Sequence, residues 1–190
     1  MSEVTEKIKQ ELLKRCEISR KKDGYDFWNE HIKWVVENAI KLGKEYDADI
    51  EIVELGALLH DIAMPSEYGP REEHHIYGAK IAEQLLKELN YPKERIEQVK
   101  NCILKHRGSQ NTVKTTVEEQ CVADADVIAH FDCIPSLFSL AYKRMNLSIE
   151  EGANYVKEKL ERDYQKLSPK TKSQLKNRYE MIVKVLFIEK

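Results

Sequence analysis

Along almost the whole chain, apolar residues return every three or four positions and hardly anywhere alternate every second one. A period of 3.6 gathers such residues on one helical face, whereas a half-buried strand needs a period of 2, so this patterning predicts an all-α protein. The one local candidate for a strand, VLFIEK at 185–190, has no alternating partner, and the RYEMIVKV that leads into it carries helical spacing. No repeat, low-complexity tract or long Gly/Ser/Pro linker divides the 190 residues, and the expectation is a single domain.

Capping residues predict where the helices begin and end. Asp49 precedes the run IEIVELGALLHDIAM, which Pro65 terminates, giving a helix of about fifteen residues with His60 and Asp61 near its end. Ser148 and Glu151 form a capping-box pattern, and Ser168 followed by Pro169 reads as N-cap and first helical residue. NYP at 90–92 separates one helix from the next, KERIEQVKNCILKH, and HRGSQNTVKTT at 106–116 is the clearest loop. Near the C-terminus, the stripes Tyr155, Leu160, Tyr164 and Tyr179, Ile182, Val183, Leu186 read as packing faces either against the core or against a second subunit, as in a homodimer, and the sequence does not choose between the two. Phe27 and Trp28 read the same way.

Ionisable groups lie on these stripes where a core has no need of them. His31 heads Val35, Ala39 and Leu42, and therefore looks inward. His60 follows Val53, Gly56 and Ala57 at helical intervals, Asp61 stacks with Ala57 and Leu58, and His106 ends the stripe Ile96, Val99, Ile103. His74 heads Tyr77, Ile81 and Leu85 while His75 heads Gly78, Ala79, Ala82 and Leu86, and periodicity does not choose between the two. In CVADADVIAHF, 121–131, Asp124 and Asp126 sit among small and apolar residues, where a carboxylate is costly unless a cation or strong donors meet it.

Taken singly, an inward His31 or His130 is more often a satisfied core residue, and an acid such as Asp124 is often a helix cap. The set resists that explanation, because no matching group of buried Lys or Arg is evident to neutralise the acids. A divalent ion is the economical partner. Imidazole with carboxylate suits Mn²⁺, Fe²⁺, Co²⁺, Ni²⁺ or Zn²⁺, with Mg²⁺ less favoured as nitrogen ligands accumulate.

Composition narrows the partners. The 31 Lys and Arg are interspersed with 33 Asp and Glu, so no basic block exists to neutralise a phosphate backbone, and long nucleic acid is not expected. The four cysteines show no CxxC spacing and sit beside apolar residues, as packing residues of a reducing compartment would. The start, MSEVTEKIKQELLKRC, is charged throughout and no apolar run approaches membrane-spanning length, so no membrane partner and a cytoplasmic location are expected.

In chain order, His31, the His60–Asp61 pair and Asp126 resemble the H…HD…D signature of the HD superfamily of metal-dependent phosphohydrolases. VELGALLHDIA is similar to that family's HD helix, HHIYGAKIAEQLL to its H-x-x-x-[GS]-A segment, and ADADVIAHF to its closing DAD strip. The resemblance spans residues 25–145, leaving an N-terminal helix over 1–24 and C-terminal helices over 146–190 that pack on the same domain. It implies an all-α helical bundle in which His31, His60, Asp61 and Asp126 ligate a metal and Asp124 supports them from behind. His74 and His106 fall where family members with two ions carry extra histidines, and the H-x-x-x-[GS] spacing selects His74, with Gly78, over His75.

The activity implied is hydrolysis of a phosphoester or phosphoanhydride in a small phosphorylated molecule, a nucleotide above all, by metal-activated water, with Asp61, His74 and His106 as catalytic groups. Lys105 and Arg107, in the segment that continues through Gly108 and Ser109, are expected to contact phosphate. The chain departs from the pattern at Val127, where relatives often carry a cation, and after the HD helix, where Glu67 is the nearest acid. No GYP motif follows, which argues against the cyclic-dinucleotide branch. The alternatives are di-iron oxygenation, used by another branch of the superfamily, and a non-catalytic metal-binding helical module.

Overall fold

A computed structural model describes residues 2–107 and 113–187, and its regular elements among those residues are all helical. The first, α1 (Glu3–Asp23), buries Ile8, Leu12 and Cys16 along one face; Ser2 caps it by accepting the Thr5 N–H, and Gly24 closes it at a φ of 78° that few other residues tolerate. A π-helical turn, Trp28–Ile32, leads into α2 (Lys33–Glu45). Asp49 caps α3 (Ile50–Leu59) by accepting the N–H groups of Glu51 and Ile52, and Arg95 grips that cap at 2.8 Å. The same guanidinium reaches Glu51 at 2.8 Å, fixing where α3 starts.

Then α4 (His74–Glu88) and α5 (Lys93–Lys105) form a hairpin through Asn90, whose φ of 55° makes the turn that NYP predicted. Thr116 and Glu119 form a capping box for α6 (Val117–Asp132), and α7 (Ile134–Ser139), a second π-helical turn (Leu140–Arg144), α8 (Ile149–Lys166) and α9 (Pro169–Leu186) complete the chain. The Ser148–Glu151 capping box and the Ser168–Pro169 start are both present.

One apolar cluster joins α1 to α6, and a second joins Val127 and Phe131 of α6 to α7, α8 and α9. α6 therefore separates and supports both halves. Gly56 lets α3 approach α5 and α6 closely, since a Cβ there would lie 2.8 Å from Cβ of Cys102 and 3.1 Å from Val122. Cys16, Cys102 and Cys121 are buried and free, as packing residues should be, while Cys133 is half-buried. No helix among the described residues is long and apolar enough to cross a membrane.

The helix expected to run to Pro65 ends at Leu59 and gives way to tight turns through Glu67. Proline disfavours helical geometry in the residue before it and lacks an N–H, so the last apolar residues close i→i+3 turns instead, Ile62 to Leu59 at 3.2 Å and Met64 to Asp61 at 2.9 Å. The strand candidate dissolves as well: Val185 and Leu186 belong to α9, Phe187 is extended, and 188–190 lie outside the described residues. Of the expected loop, 106–107 and 113–116 are non-helical, and Gly108 and Ser109 lie outside the described residues.

Candidate metal centre

The centre is assembled at helix ends. His60 and Asp61 follow the last turn of α3, His74 opens α4, His106 closes α5, Asp126 sits midway along α6, and His31 lies in the first π-helical turn. A π turn inserts one residue into the helical ladder and so re-aims side chains relative to the α2 stripe, a feature frequent at functional sites. Asp26 anchors this turn by accepting the Asn29 N–H at 3.0 Å and its amide at 2.9 Å.

Three imidazoles share one mode of attachment. Nδ1 of His60, His74 and His106 each lies 2.6–2.7 Å from the carbonyl three residues earlier, of Ala57, Arg71 and Ile103. A carbonyl only accepts, so each Nδ1 carries a proton, and in the neutral tautomer this leaves the Nε2 lone pair for a ligand. The Nε2 atoms converge: those of His74 and His106 are 3.2 Å apart, and Nε2 of His60 lies 3.2 Å from Nε2 of His31.

The carboxylates complete two trios. His31, His60 and Asp126 form one, Asp61, His74 and His106 the other, with the donor atoms of each within 4.8 Å of one another. Asp126 Oδ1 lies 3.1 Å from Nε2 of His31. Asp61 serves both groups, with Oδ1 3.2 Å from His74 and 3.7 Å from His106, and Oδ2 3.8 Å from His31 and 3.7 Å from His60. Where two bare lone pairs face each other, as the tautomers of His74 and His106 place them, they repel unless a cation sits between them. Imidazoles oriented by carbonyls and bridged by a carboxylate are the donor set of a divalent transition-metal site, and the residues fit one.

Electrostatics agree with that fit. Burial pushes His106 down to about 4, helped by the neighbouring His60, and lowers His60 as well, so both are neutral and able to ligate. Burial would raise Asp61, but the imidazoles around it, His60 foremost, hold its carboxyl well below the usual range. Asp126 is lowered in the same way, its burial outweighed by His31, whose own pKa rises against burial through Asp126 and Asp61.

A cavity of about 320 Å³ opens over the two trios. Six cations line it: Arg71, Arg107, Arg144, Lys159, Arg162 and Lys166. Three of these come from α8, where periodicity read only the packing stripe Tyr155, Leu160, Tyr164; Leu160 and Tyr164 are indeed buried, while Tyr155 faces the cavity. Behind His31 stands His130, ring centroids 5.1 Å apart and planes 11° apart, its Nδ1 2.9 Å from buried Asp163. Asp163 also holds Lys159 at 3.0 Å and Lys166 at 2.7 Å. The available signal was an acid at 163 within a run of cations spaced three and four apart.

Three expected residues go elsewhere. Asp124 does not support the ligands: two positions from Asp126 it faces another side of α6, where it accepts from Gln120 at 2.9 Å and from the Ser168 N–H at 3.0 Å, tying α6 to the start of α9. Lys105 is not among the cavity residues, because its Nζ binds buried Glu119 at 2.8 Å and Thr115 at 2.9 Å, whereas Arg107 lines the cavity and donates to the Glu72 carbonyl. Glu67 pairs with Lys22 on the surface. Of the two adjacent histidines, His74 meets Asp61 and His106, and His75 is buried within α4.

Most of the chain superimposes on crystal structures of similar shape. One is Bacillus subtilis YpgQ in complex with ADP, with a TM-score of 0.70 and 20% identity over 96% of this chain and 93% of that one. Another is a predicted HD superfamily hydrolase from an uncultured Thermotogales bacterium, with a TM-score of 0.58 and 22% identity over 93% and 88%. In sequence, the chain is 33% identical over 116 residues to the tRNA (cytidine(56)-2'-O)-methyltransferase of Thermoplasma volcanium, a match that takes in 53% of this chain and only 31% of that protein. Residues 29–130, from the π turn that carries His31 to the histidine stacked on it, match the HD domain, and the chain belongs to the HD domain family.

Proposed function

We propose that the protein is a metal-dependent phosphohydrolase acting on a small phosphorylated molecule, a nucleotide above all. The observation that carries this reading is the placing of two donor trios, joined through Asp61, on the floor of a cavity of about 320 Å³ with six cations in its walls. Divalent ions held by His31, His60 and Asp126 and by His74, His106 and Asp61 would supply a water of lowered pKa and a Lewis acid for a phosphoryl oxygen.

The chain's own residues do the rest. Arg71 and Arg107, next to His74 and His106, and Arg162 on α8 bind and orient phosphate oxygens, a task suited to forked guanidinium donors, while Lys159 and Lys166, held by Asp163, add positive charge to the same wall. Burial of His60 and of His106 keeps solvent from competing for their Nε2 lone pairs. Tyr25, Phe27 and Tyr155 offer apolar faces of a size that suits a base or sugar. That YpgQ, of the same fold, was crystallised with ADP is in keeping with a nucleotide ligand.

Protein stripped with chelator and resupplied with Mn²⁺, Co²⁺ or Ni²⁺ should release phosphate or pyrophosphate from at least one member of a nucleotide panel. Oxygen uptake with iron and no phosphate release would establish the oxygenase instead. Full activity after chelation, or in His60→Ala, would contradict the proposal.

A further inference from the structure

The cavity is not uniform in polarity. Cations occupy α8 and the end near His74 and His106, but the wall formed by residues 25–31 and α7 carries Tyr25, Phe27, Leu137 and a carboxylate, Glu30. No described cation pairs with Glu30. Its Oε2 lies 3.3 Å from the Ser136 hydroxyl, which lies 3.1 Å from the Tyr25 hydroxyl. Because a carboxylate only accepts, Ser136 gives its proton to Glu30 and must take that of Tyr25. The Ser136 hydroxyl, itself held by Tyr25, thus holds one oxygen of Glu30 in place, and Oε1 has no described partner. Arg144, the cation in this wall, is engaged with Asp23 at 2.7 Å and lies over the Tyr25 ring at 5.2 Å.

A fixed, half-buried carboxylate inside a phosphate-binding cleft is a liability if phosphate approaches it, because like charges repel and the carboxylate has lost part of its hydration. The liability disappears if this wall meets the part of the ligand that carries donors. In a small phosphorylated molecule those donors are sugar hydroxyls, and recognition of ribose hydroxyls by a carboxylate is well suited to their chemistry. The neighbouring Tyr25 and Phe27 rings supply the apolar surface such a half needs.

Building on the phosphohydrolase reading, we infer that Glu30 reads the sugar hydroxyls of the substrate, so that the ligands are ribonucleoside phosphates in preference to their 2′-deoxy counterparts. Phosphates lie against α8 and the arginine end; the nucleoside lies against residues 25–30 and α7. Glu30 is a specificity residue and performs no step of hydrolysis.

The test compares each of the four common ribonucleoside diphosphates with its 2′-deoxy form, by ligand-induced melting-temperature shift and by initial rate, on Mn²⁺-loaded wild type, Glu30→Ala and Glu30→Gln. Loss of a hydrogen bond to a charged acceptor predicts a wild-type preference for ribose of at least about tenfold, expressed mainly in KM. Glu30→Ala should bring that ratio to about one with metal content retained, and Glu30→Gln, which keeps an acceptor, should fall between. Equal shifts for both sugars in the wild type, shifts from neither, an unchanged ratio in Glu30→Ala, or discrimination among bases alone would each overturn the inference. Sugar-dependent shifts without phosphate release would instead leave the inference standing and remove the hydrolase reading.

Discussion

His130 lies flat against His31, with ring planes 11° apart. The stacked ring is itself held by Asp163, so the orientation of one expected ligand depends on a residue that lies beyond the matched family region, on α8. Groups that orient ligands typically change metal affinity 10- to 100-fold when removed. His130→Ala should therefore weaken metal binding about tenfold by titration calorimetry. His130→Phe, which keeps the flat face and loses the close contact with Asp163, should recover part of it. Unchanged affinity in the alanine variant would show that the stack has no part in holding His31.

Asp163 makes a pH-dependent contribution to stability. Burial alone would raise its carboxyl, but His130, Lys159 and Lys166 outweigh that and hold it well below the usual carboxylate range. A group harder to protonate when folded stabilises the fold fully above its unfolded pKa, about 4, and loses that contribution as pH falls below this value toward the folded pKa. Asp163→Asn should cost about 2 kcal/mol at pH 7, by removing the buried carboxylate that half-buried Lys159 and Lys166 share, and should show a shallower loss of stability in acid. Urea melts from neutral to acid pH measure both. An acid limb as steep as that of the wild type would assign the effect to other carboxylates.

Asp124 tests how the two acids of the DAD strip divide their work. Its oxygens hold Gln120 and the backbone and hydroxyl of Ser168, so Asp124→Ala should loosen α9 and lower stability by about 2 kcal/mol. Metal content should remain that of the wild type. Loss of metal in a folded Asp124→Ala protein would return this residue to the centre.

Helix type and most boundaries were legible because caps and a 3.6 period are local properties: Asp49, Ser148 and Ser168 each cap a helix as their neighbours in sequence require. The π turn at Trp28–Ile32 was not, since one inserted residue leaves the hydrophobic spacing of Val35, Ala39 and Leu42 untouched while it re-aims His31. Nor was the halt of α3 at Leu59, where the run of apolar residues to Met64 outlasts the helix because Pro65 acts backward along the chain. At the site, the resemblance assembled histidines and acids from five distant segments, which periodicity alone showed only as inward-facing. Arg162 and Lys166 escaped notice because a charged residue on an amphipathic helix reads as solvated, and only the fold turns that face of α8 toward the cavity. Asp124 and Asp126, two apart in a helix, looked equivalent in composition and differ by direction.

The central claim is that Asp61 joins two metal-binding trios, and the metal content per chain tests it most directly. After loading with Mn²⁺ and removal of free ion, elemental analysis of the wild type should give two equivalents, and Asp61→Ala should retain at most one while staying folded by circular dichroism. A wild-type chain that retains one equivalent or none, or an Asp61→Ala chain that retains as much as the wild type, would contradict the account.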